Sequence, residues 1–596
     1  MAPPRVGQSV DTIADLLSAN CQLTIRINLQ VQRPQVQDRV DQRTLLIASE
    51  MGFINDNLGI LYLGVATAIY LRPELAVIGG SRAATTLLGL LAVITWKIVY
   101  ALALYPSFFT PLKHIPTPGN RSLLCGNAET YYPKTPWPAL KDWAENLSNE
   151  GLIRYYLVGN LERVFLTSPK ALSELLVTKN YDFEKPLLVR QTLSRVVGNG
   201  ILLAEGEVHK IQRKNLMPAF AYRHIKDLYP VFWSKGAEMV NLIQEDLERR
   251  KSAGEEDIQI NVRNWASRAT LDIIGVAGMD HDFDSLRDPT NRLSRSYQQI
   301  FTSPGLGAKA MFVIGALMGS VRLLHMLPTG RNKRIGEGGK VIRDVARQMI
   351  RMKREKMKNS TASTGIDIIS VAMQSGVMDE ENLVDQLMTF LGAGHETTAS
   401  AMQWAVYALC KNPEVQTKLR EEIRAHLPPL SKDSPNTIDA SIIDDLPYLH
   451  AVCNEVLRFH PSVPGTIRTA VRDTSLAGTP IPKGTVLTIA PEVINHLEEF
   501  WGPDAHKFNP ERFMGPGKAN TGGATSNYAF LTFLHGPRSC IGQGFAKAEL
   551  ACLLAVTVGR FHIELRYPDR KLELREGATV APEDGVPAIF TPIEGW

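Results

Sequence analysis

The chain is short of paired cysteines. Its six (Cys21, Cys125, Cys410, Cys453, Cys540 and Cys552) are scattered through 596 residues, and none forms a C-x-x-C pair. That argues against a disulfide framework and against a tetrahedral zinc site. Net charge is also small: 65 Lys and Arg against 61 Asp and Glu leave a formal +4. So even a balance does not point to nucleic acid as the main partner. Internal repeats and low-complexity tracts are absent too. What remains is ordinary for a globular protein, with 44% hydrophobic and 21% charged residues. The length fits one large domain with appendages.

Residues 1–50 are polar and carry no readable pattern. Met51 directly precedes the first apolar region, so translation starting there is one expectation. Two apolar runs follow. Leu58–Leu71 has 14 residues, short of the roughly 20 needed to cross a bilayer as a helix. Ala83–Tyr105 has 23, with one charge, Lys97, and with Trp96, Tyr100 and Tyr105 toward its end, where interfacial aromatics are common. A proline-rich segment comes next, which suits a linker. The alternative is a buried core helix; a cleaved signal does not fit so deep in the chain. The expected organisation is a polar extension over 1–50, a membrane-anchor region over 51–112 with a transmembrane helix at about 83–105, then one domain over 113–596; whether 58–71 adds a second membrane helix is left open by its length.

That domain reads as mainly α with small β-sheets. Ile153–Ser168 alternates around Gly159-Asn160, a hairpin signal. Ser168 opens a short capped helix. Helical patterns follow at His224–Ser252, Asn264–Ala277 and Lys340–Lys358, and Leu476–Pro491 reads as a strand pair.

The run Glu381–Lys411 predicts a helix of about 45 Å at 1.5 Å per residue. It is apolar or small over most of its surface, as expected of a helix crossing a domain interior. Its middle is "GHETT", Gly394 to Thr398. Glycine there costs about 1 kcal/mol relative to alanine, and threonine is a weak helix former. A carboxylate beside a hydroxyl could pass protons to a bound group; the other reading is a polar patch at a helix–helix contact. Glu455 and Arg458 are three apart on one helix face before Pro461. Such a pair is usually a surface feature, but apolar flanks allow a buried, structural one.

Cys540 follows a loop and precedes an amphipathic helical pattern. A thiol near a helix N-terminus is shifted toward thiolate, and unpaired N–H groups can donate to its sulfur. Gly536 and Gly542 permit tight turns or close approach to a flat object, and Arg538 supplies a fixed cation for a carboxylate. One thiolate, close backbone approach and a carboxylate partner describe the proximal side of a heme. The rival dinucleotide-loop reading of "GQGFAKA" lacks its third glycine and a βαβ context.

The chain resembles the cytochrome P450 family. Phe533, Gly536, Arg538, Cys540 and Gly542 fill every position of the pattern F-x-x-G-x-R-x-C-x-G. "AGHETT" at Ala393–Thr398 resembles the family's oxygen-activation motif, "EVLR" its Glu-x-x-Arg pair, and "FNPERF" at Phe508–Phe513 its meander. The resemblance covers roughly residues 113–596 and is closest in style to a filamentous-fungal, membrane-anchored member.

The resemblance implies a P450 fold holding heme b, with Cys540 as the axial iron ligand. Glu396 and Thr397 would deliver protons for dioxygen activation, with Ala393 and Gly394 leaving a groove. Arg468, Arg538, His209 and Arg213 match positions that contact the heme propionates; the commonest pattern has tryptophan where His209 stands. Arg512 would join Glu455 and Arg458 in a structural triad.

It further implies a monooxygenase acting on a lipophilic small molecule, with NADPH electrons arriving through NADPH–cytochrome P450 reductase and cytochrome b5 as a further partner. The expected location is the endoplasmic reticulum membrane, with the catalytic domain facing the cytosol. Fungal secondary metabolism is the preferred setting, through terpenoid or polyketide tailoring. The alternatives are fatty-acid hydroxylation, a rearranging or dehydrating member that does not use O2, and a non-enzymatic heme protein.

Overall fold

The computed structural model describes residues 57–596 apart from 79, 131–134, 304, 319–320, 323, 360–366 and 431–437. The polar extension and Met51 lie outside the described residues. The chain divides into two compact units, with Lys113 closing the first and His114 opening the second.

In the first unit, an apolar helix Asn57–Leu71 precedes a 28-residue helix, Arg82–Phe109, which is long and apolar enough to cross a membrane. The shorter helix is below that length. The Tyr62 hydroxyl donates to the Thr86 carbonyl at 2.9 Å, so the two helices touch. Ser81 caps the longer one through the Ala84 N–H. Its last ten residues widen to π geometry around Pro106, which lacks the N–H that an α-helix needs there.

The second unit is mainly helical with small sheets. Its largest sheet has five strands: β1 (Leu152–Tyr156), β2 (Glu162–Leu166), β3 (Phe183–Glu184), β4 (Thr466–Ala470) and β5 (Val486–Ile489), in the order β1-β2-β5-β4-β3. β1 and β2 pair antiparallel with Ile153 opposite Phe165, while β2 and β5 run parallel. The turn between β1 and β2 uses Gly159 and Asn160, both at positive φ.

The predicted strand pair over 476–491 is divided. Thr474–Leu476 and Thr479–Ile481 form a separate hairpin around Ala477 and Gly478, both at positive φ, and only Val486–Ile489 joins the main sheet.

Two helical expectations are corrected. His224–Ser252 is broken into Tyr222–Lys226 and Tyr229–Ser252, because Pro230 is accommodated in the first turn of a new helix. The helix predicted from Lys340 starts ten residues earlier, at Gly330. Its glycines meet close neighbours: a Cβ on Gly338 would lie 2.7 Å from Ile300, and one on Gly339 would lie 2.2 Å from the Arg195 carbonyl.

The helix Glu380–Lys411, the central helix, is capped by Asp379 and runs unbroken. It packs along Val262–Met279 and also against Gln543–Arg560, the helix that follows Cys540. Leu387, Leu391, Val406 and Leu409 on it are buried with Ile273, Leu553 and Val556 in one hydrophobic core.

Candidate active site

The cysteine loop is built by its backbone. Cys540 N–H donates to the Phe533 carbonyl at 2.9 Å, closing the segment, and Leu534 and Gly536 take positive φ to make the turn. A Cβ on Gly536 would stand 2.1 Å from the Leu176 carbonyl, so this glycine answers to a protein neighbour. Gly542 differs: a Cβ there would meet only Phe220, at 3.8 Å. Arg213 fastens the loop from the helix Gly206–Leu216, its Nη1 donating to the Ser539 carbonyl at 2.6 Å. Cys540 itself is exposed although its setting is interior. Burial pushes its thiol up, with the Gly542 N–H and Arg213 pulling back. The lowering expected from the helix end alone is therefore outweighed by desolvation.

Beside the loop lies an excess of positive charge. Arg538 reaches the Phe183 carbonyl and pairs with Glu205 at 2.5 Å, while its Nε has no hydrogen-bond partner among the described residues. Arg468, on β4, is buried, and among the described residues its side chain donates to Thr466 and Ile467; burial lowers it to about 10. His209 meets the Tyr181 hydroxyl at 3.1 Å through Nδ1, and burial, then Arg538, Lys185, Arg213 and Arg468, hold it down to about 4. Lys185, which the sequence pattern did not single out, is pushed down to about 7 by burial and then by Arg468. Glu205 is the carboxylate that opposes this depression. Among the described residues this buried cation cluster is faced by one acid, Glu205, so it is short of negative charge, and a bound group carrying two carboxylates would supply it.

Across the core, Thr397 Oγ1 donates to the Ala393 carbonyl at 2.8 Å, and the Thr397 carbonyl accepts from Ser462 Oγ at 2.9 Å. Gly394 is in close contact: a Cβ would fall 2.9 Å from Ile274 on the neighbouring helix, so helix packing demands it. Glu396 is not turned to an open space; it is buried and pairs with Arg575 at 2.9 Å.

The Glu455–Arg458 pair is interior, with both side chains at 0% exposure. Arg512 Nε reaches Glu455 Oε1 at 3.2 Å, so the three charges meet.

A family model described as Cytochrome P450 matches residues 116–586. The chain belongs to the cytochrome P450 family. The cytochrome P450 monooxygenase sphH of Aspergillus fumigatus is 60% identical to it over 546 residues, which span 92% of this chain and 100% of that protein. The cytochrome P450 monooxygenase FUM15 of Gibberella moniliformis is 40% identical over 548 residues, 84% of this chain and 92% of its own. FSL4 of Gibberella zeae, also a cytochrome P450 monooxygenase, is 38% identical over 515 residues, 83% and 91%. With these fungal relatives, the chain is a cytochrome P450 monooxygenase, and the P450 family implies heme iron. The cation cluster and the accessible thiol fit that group.

Proposed function

We propose that this P450 inserts one atom of O2 into a lipophilic small molecule of fungal secondary metabolism, tailoring a terpenoid or polyketide scaffold. The observation that carries the heme-dependent part is the pairing of an accessible interior thiol, Cys540, with a buried cation cluster that has a single opposing carboxylate. Cys540 would hold heme iron; Arg468, Arg538, His209 and Arg213 would face its carboxylates, and Phe533, Gly536 and Gly542 shape the loop beneath it. Heme bound through a thiolate supplies the dioxygen chemistry, favouring O–O cleavage.

The chain's own part is to bind the substrate, exclude water and move protons. Thr397 donates its hydroxyl proton to the Ala393 carbonyl, so its lone pairs remain to accept one, and Glu396 is the adjacent carboxylate that can relay it. Ala393 keeps the wall beside Thr397 small. Electrons would come from NADPH–cytochrome P450 reductase, with cytochrome b5 as a second donor. The helix Arg82–Phe109 would anchor the enzyme in the endoplasmic reticulum membrane, with the catalytic domain on the cytosolic side.

Substrate-binding difference spectra on the ferric holoprotein test this reading, with terpenoid and polyketide scaffolds run beside fatty acids. A saturable low-to-high-spin shift with a scaffold compound is expected. A shift with fatty acids alone would replace tailoring by lipid hydroxylation, and the lack of any thiolate-ligated heme spectrum would remove Cys540 as ligand.

A further inference from the structure

Glu396 is tied to a segment far away in sequence. Arg575 Nη2 donates to Glu396 Oε1 at 2.9 Å, and Thr579 Oγ1 donates to the same oxygen at 3.1 Å. Arg575 also fixes itself, its Nη1 donating to the Phe301 carbonyl at 2.9 Å. Arg575 and Thr579 belong to the hairpin Leu574–Glu576 and Val580–Pro582, with Arg575 opposite Ala581. That hairpin is pinned to the central helix at a second point. The Val580 carbonyl accepts from Ser400 Oγ at 2.7 Å and from Trp404 Nε1 at 3.0 Å, and the Val580 N–H donates to the Ser462 carbonyl at 2.9 Å. Glu396, Arg575 and Thr579 are all buried.

Other charges around the carboxylate are fewer and less direct. Arg263, on Val262–Met279, feels both Glu396 and Arg575, but among the described residues it makes no ion pair with Glu396. His395 is buried, with its Nδ1 at 2.8 Å from the Leu391 carbonyl.

We infer that Arg575 is the positioning residue for Glu396: it supplies the counter-charge for the buried carboxylate and clamps Oε1 to the C-terminal hairpin, leaving Oε2 as the oxygen that exchanges protons. The inference rests on the reading of Glu396 as a proton relay. Two donors converging on Oε1 fix where that oxygen sits, and Arg575 is itself held in place because its other terminal nitrogen is bonded to the Phe301 carbonyl. A general acid or base works through geometry before acidity, so the clamp decides where the proton is presented.

The test is infrared difference spectroscopy on the ferric holoprotein at neutral pH, with Glu396 bands assigned by their loss in Glu396→Gln. Removing the cation in Arg575→Gln leaves a buried carboxylate unpaired, and such a group neutralises. A protonated-carboxyl band should therefore appear that the native protein lacks, vanish in the Arg575→Gln/Glu396→Gln double variant, and stay absent in Arg575→Lys. No new band in heme-loaded Arg575→Gln overturns the inference. Should Arg575→Gln fail to load heme, Arg575→Lys moves the donor on the same oxygen without removing the charge. A shifted carboxylate stretch supports the clamp, and an unshifted one overturns it. The solvent deuterium isotope effect on reductase-driven NADPH oxidation separates this inference from the reading beneath it. If the infrared signature is as expected but Glu396→Gln leaves the isotope effect unchanged, Arg575 still positions Glu396 and the relay reading falls.

Discussion

Arg458 and Glu455 meet at 2.7 Å with neither side chain reaching solvent. All five N–H groups of Arg458 are used: two go to the Glu455 carboxylate and three to the carbonyls of Asn495, Ala505 and Lys507. Glu455 in turn accepts from the Asn509 N–H at 2.7 Å and from Arg512. The run 495–512, which holds the short helix Glu498–Trp501, is therefore hung from one buried ion pair. Glu455→Gln leaves Arg458 buried without its counter-charge, and Arg458→Ala leaves Glu455 to Arg512; breaking such a buried pair costs about 3–5 kcal/mol. Both variants are expected to melt at lower temperature and to give little thiolate-ligated spectrum, as read by thermal denaturation and ferrous–CO difference spectra.

The two glycines of the cysteine loop should separate folding from heme binding. Gly536→Ala sets a Cβ 2.1 Å from the Leu176 carbonyl at a φ of +76°, so it should destabilise the fold by on the order of 1–3 kcal/mol. Gly542→Ala meets protein only at 3.8 Å, at an ordinary negative φ. It is expected to keep the melting temperature of heme-free protein and to lose heme content. Equal behaviour of the two variants would remove the case for a flat group approaching Gly542.

Lys185 gives the site a pH dependence. Its folded value, lowered to about 7 by burial and Arg468, lies below its ordinary 10.5. Between those values the unfolded chain holds a proton that the folded chain has released, so the stability of heme-stripped protein should rise with pH across that window. Carboxylates placed beside the amine restore its proton. Heme uptake should therefore consume protons and weaken from neutral toward pH 10, by at most about tenfold per unit. Titrating heme affinity against pH checks this; Lys185→Met should flatten the profile, and a slope unchanged in that variant would assign it elsewhere.

Topology has a simple probe at Asn146-Leu147-Ser148. Asn146 is exposed at the end of the helix Trp137–Asn146, so an oligosaccharide transferase could reach it on the lumenal side. Mass spectrometry of the native protein should find it without glycan if the catalytic domain faces the cytosol. Glycan on Asn146 would reverse the orientation.

How much of this was legible in the sequence depends on how the residues are spaced. The cysteine loop and the Glu455–Arg458 pair are local patterns, at fixed or i,i+3 separations, so the chain writes them in order. The mainly helical fold with small sheets was likewise readable from periodicity. The clamp on Glu396 comes from a hairpin 179 residues away, and no local signal points to Arg575. Lys185 sits in "FEKP", where nothing marks it as buried among arginines. The helix start at Gly330 depends on distant partners in the same way: Gly338 and Gly339 lack the Cβ that would clash with Ile300 and with the backbone of Arg195.

Thr397→Ala decides between oxygen insertion and O2-independent rearrangement. The substitution should leave the fold intact, because the Ser462 hydroxyl bonds the Thr397 carbonyl and not its side chain. Alanine is also the better helix former, by about 0.5 kcal/mol. Any loss of function therefore reports the missing hydroxyl. General acid–base groups contribute about 10²–10⁴-fold, so product formed per NADPH consumed should fall by roughly tenfold or more, with peroxide taking up the difference. Thr397→Ser, which restores the hydroxyl, should recover most of the coupling. A rearranging enzyme needs no such proton and would turn over at nearly its native rate in both variants, which would remove oxygen insertion as this enzyme's reaction.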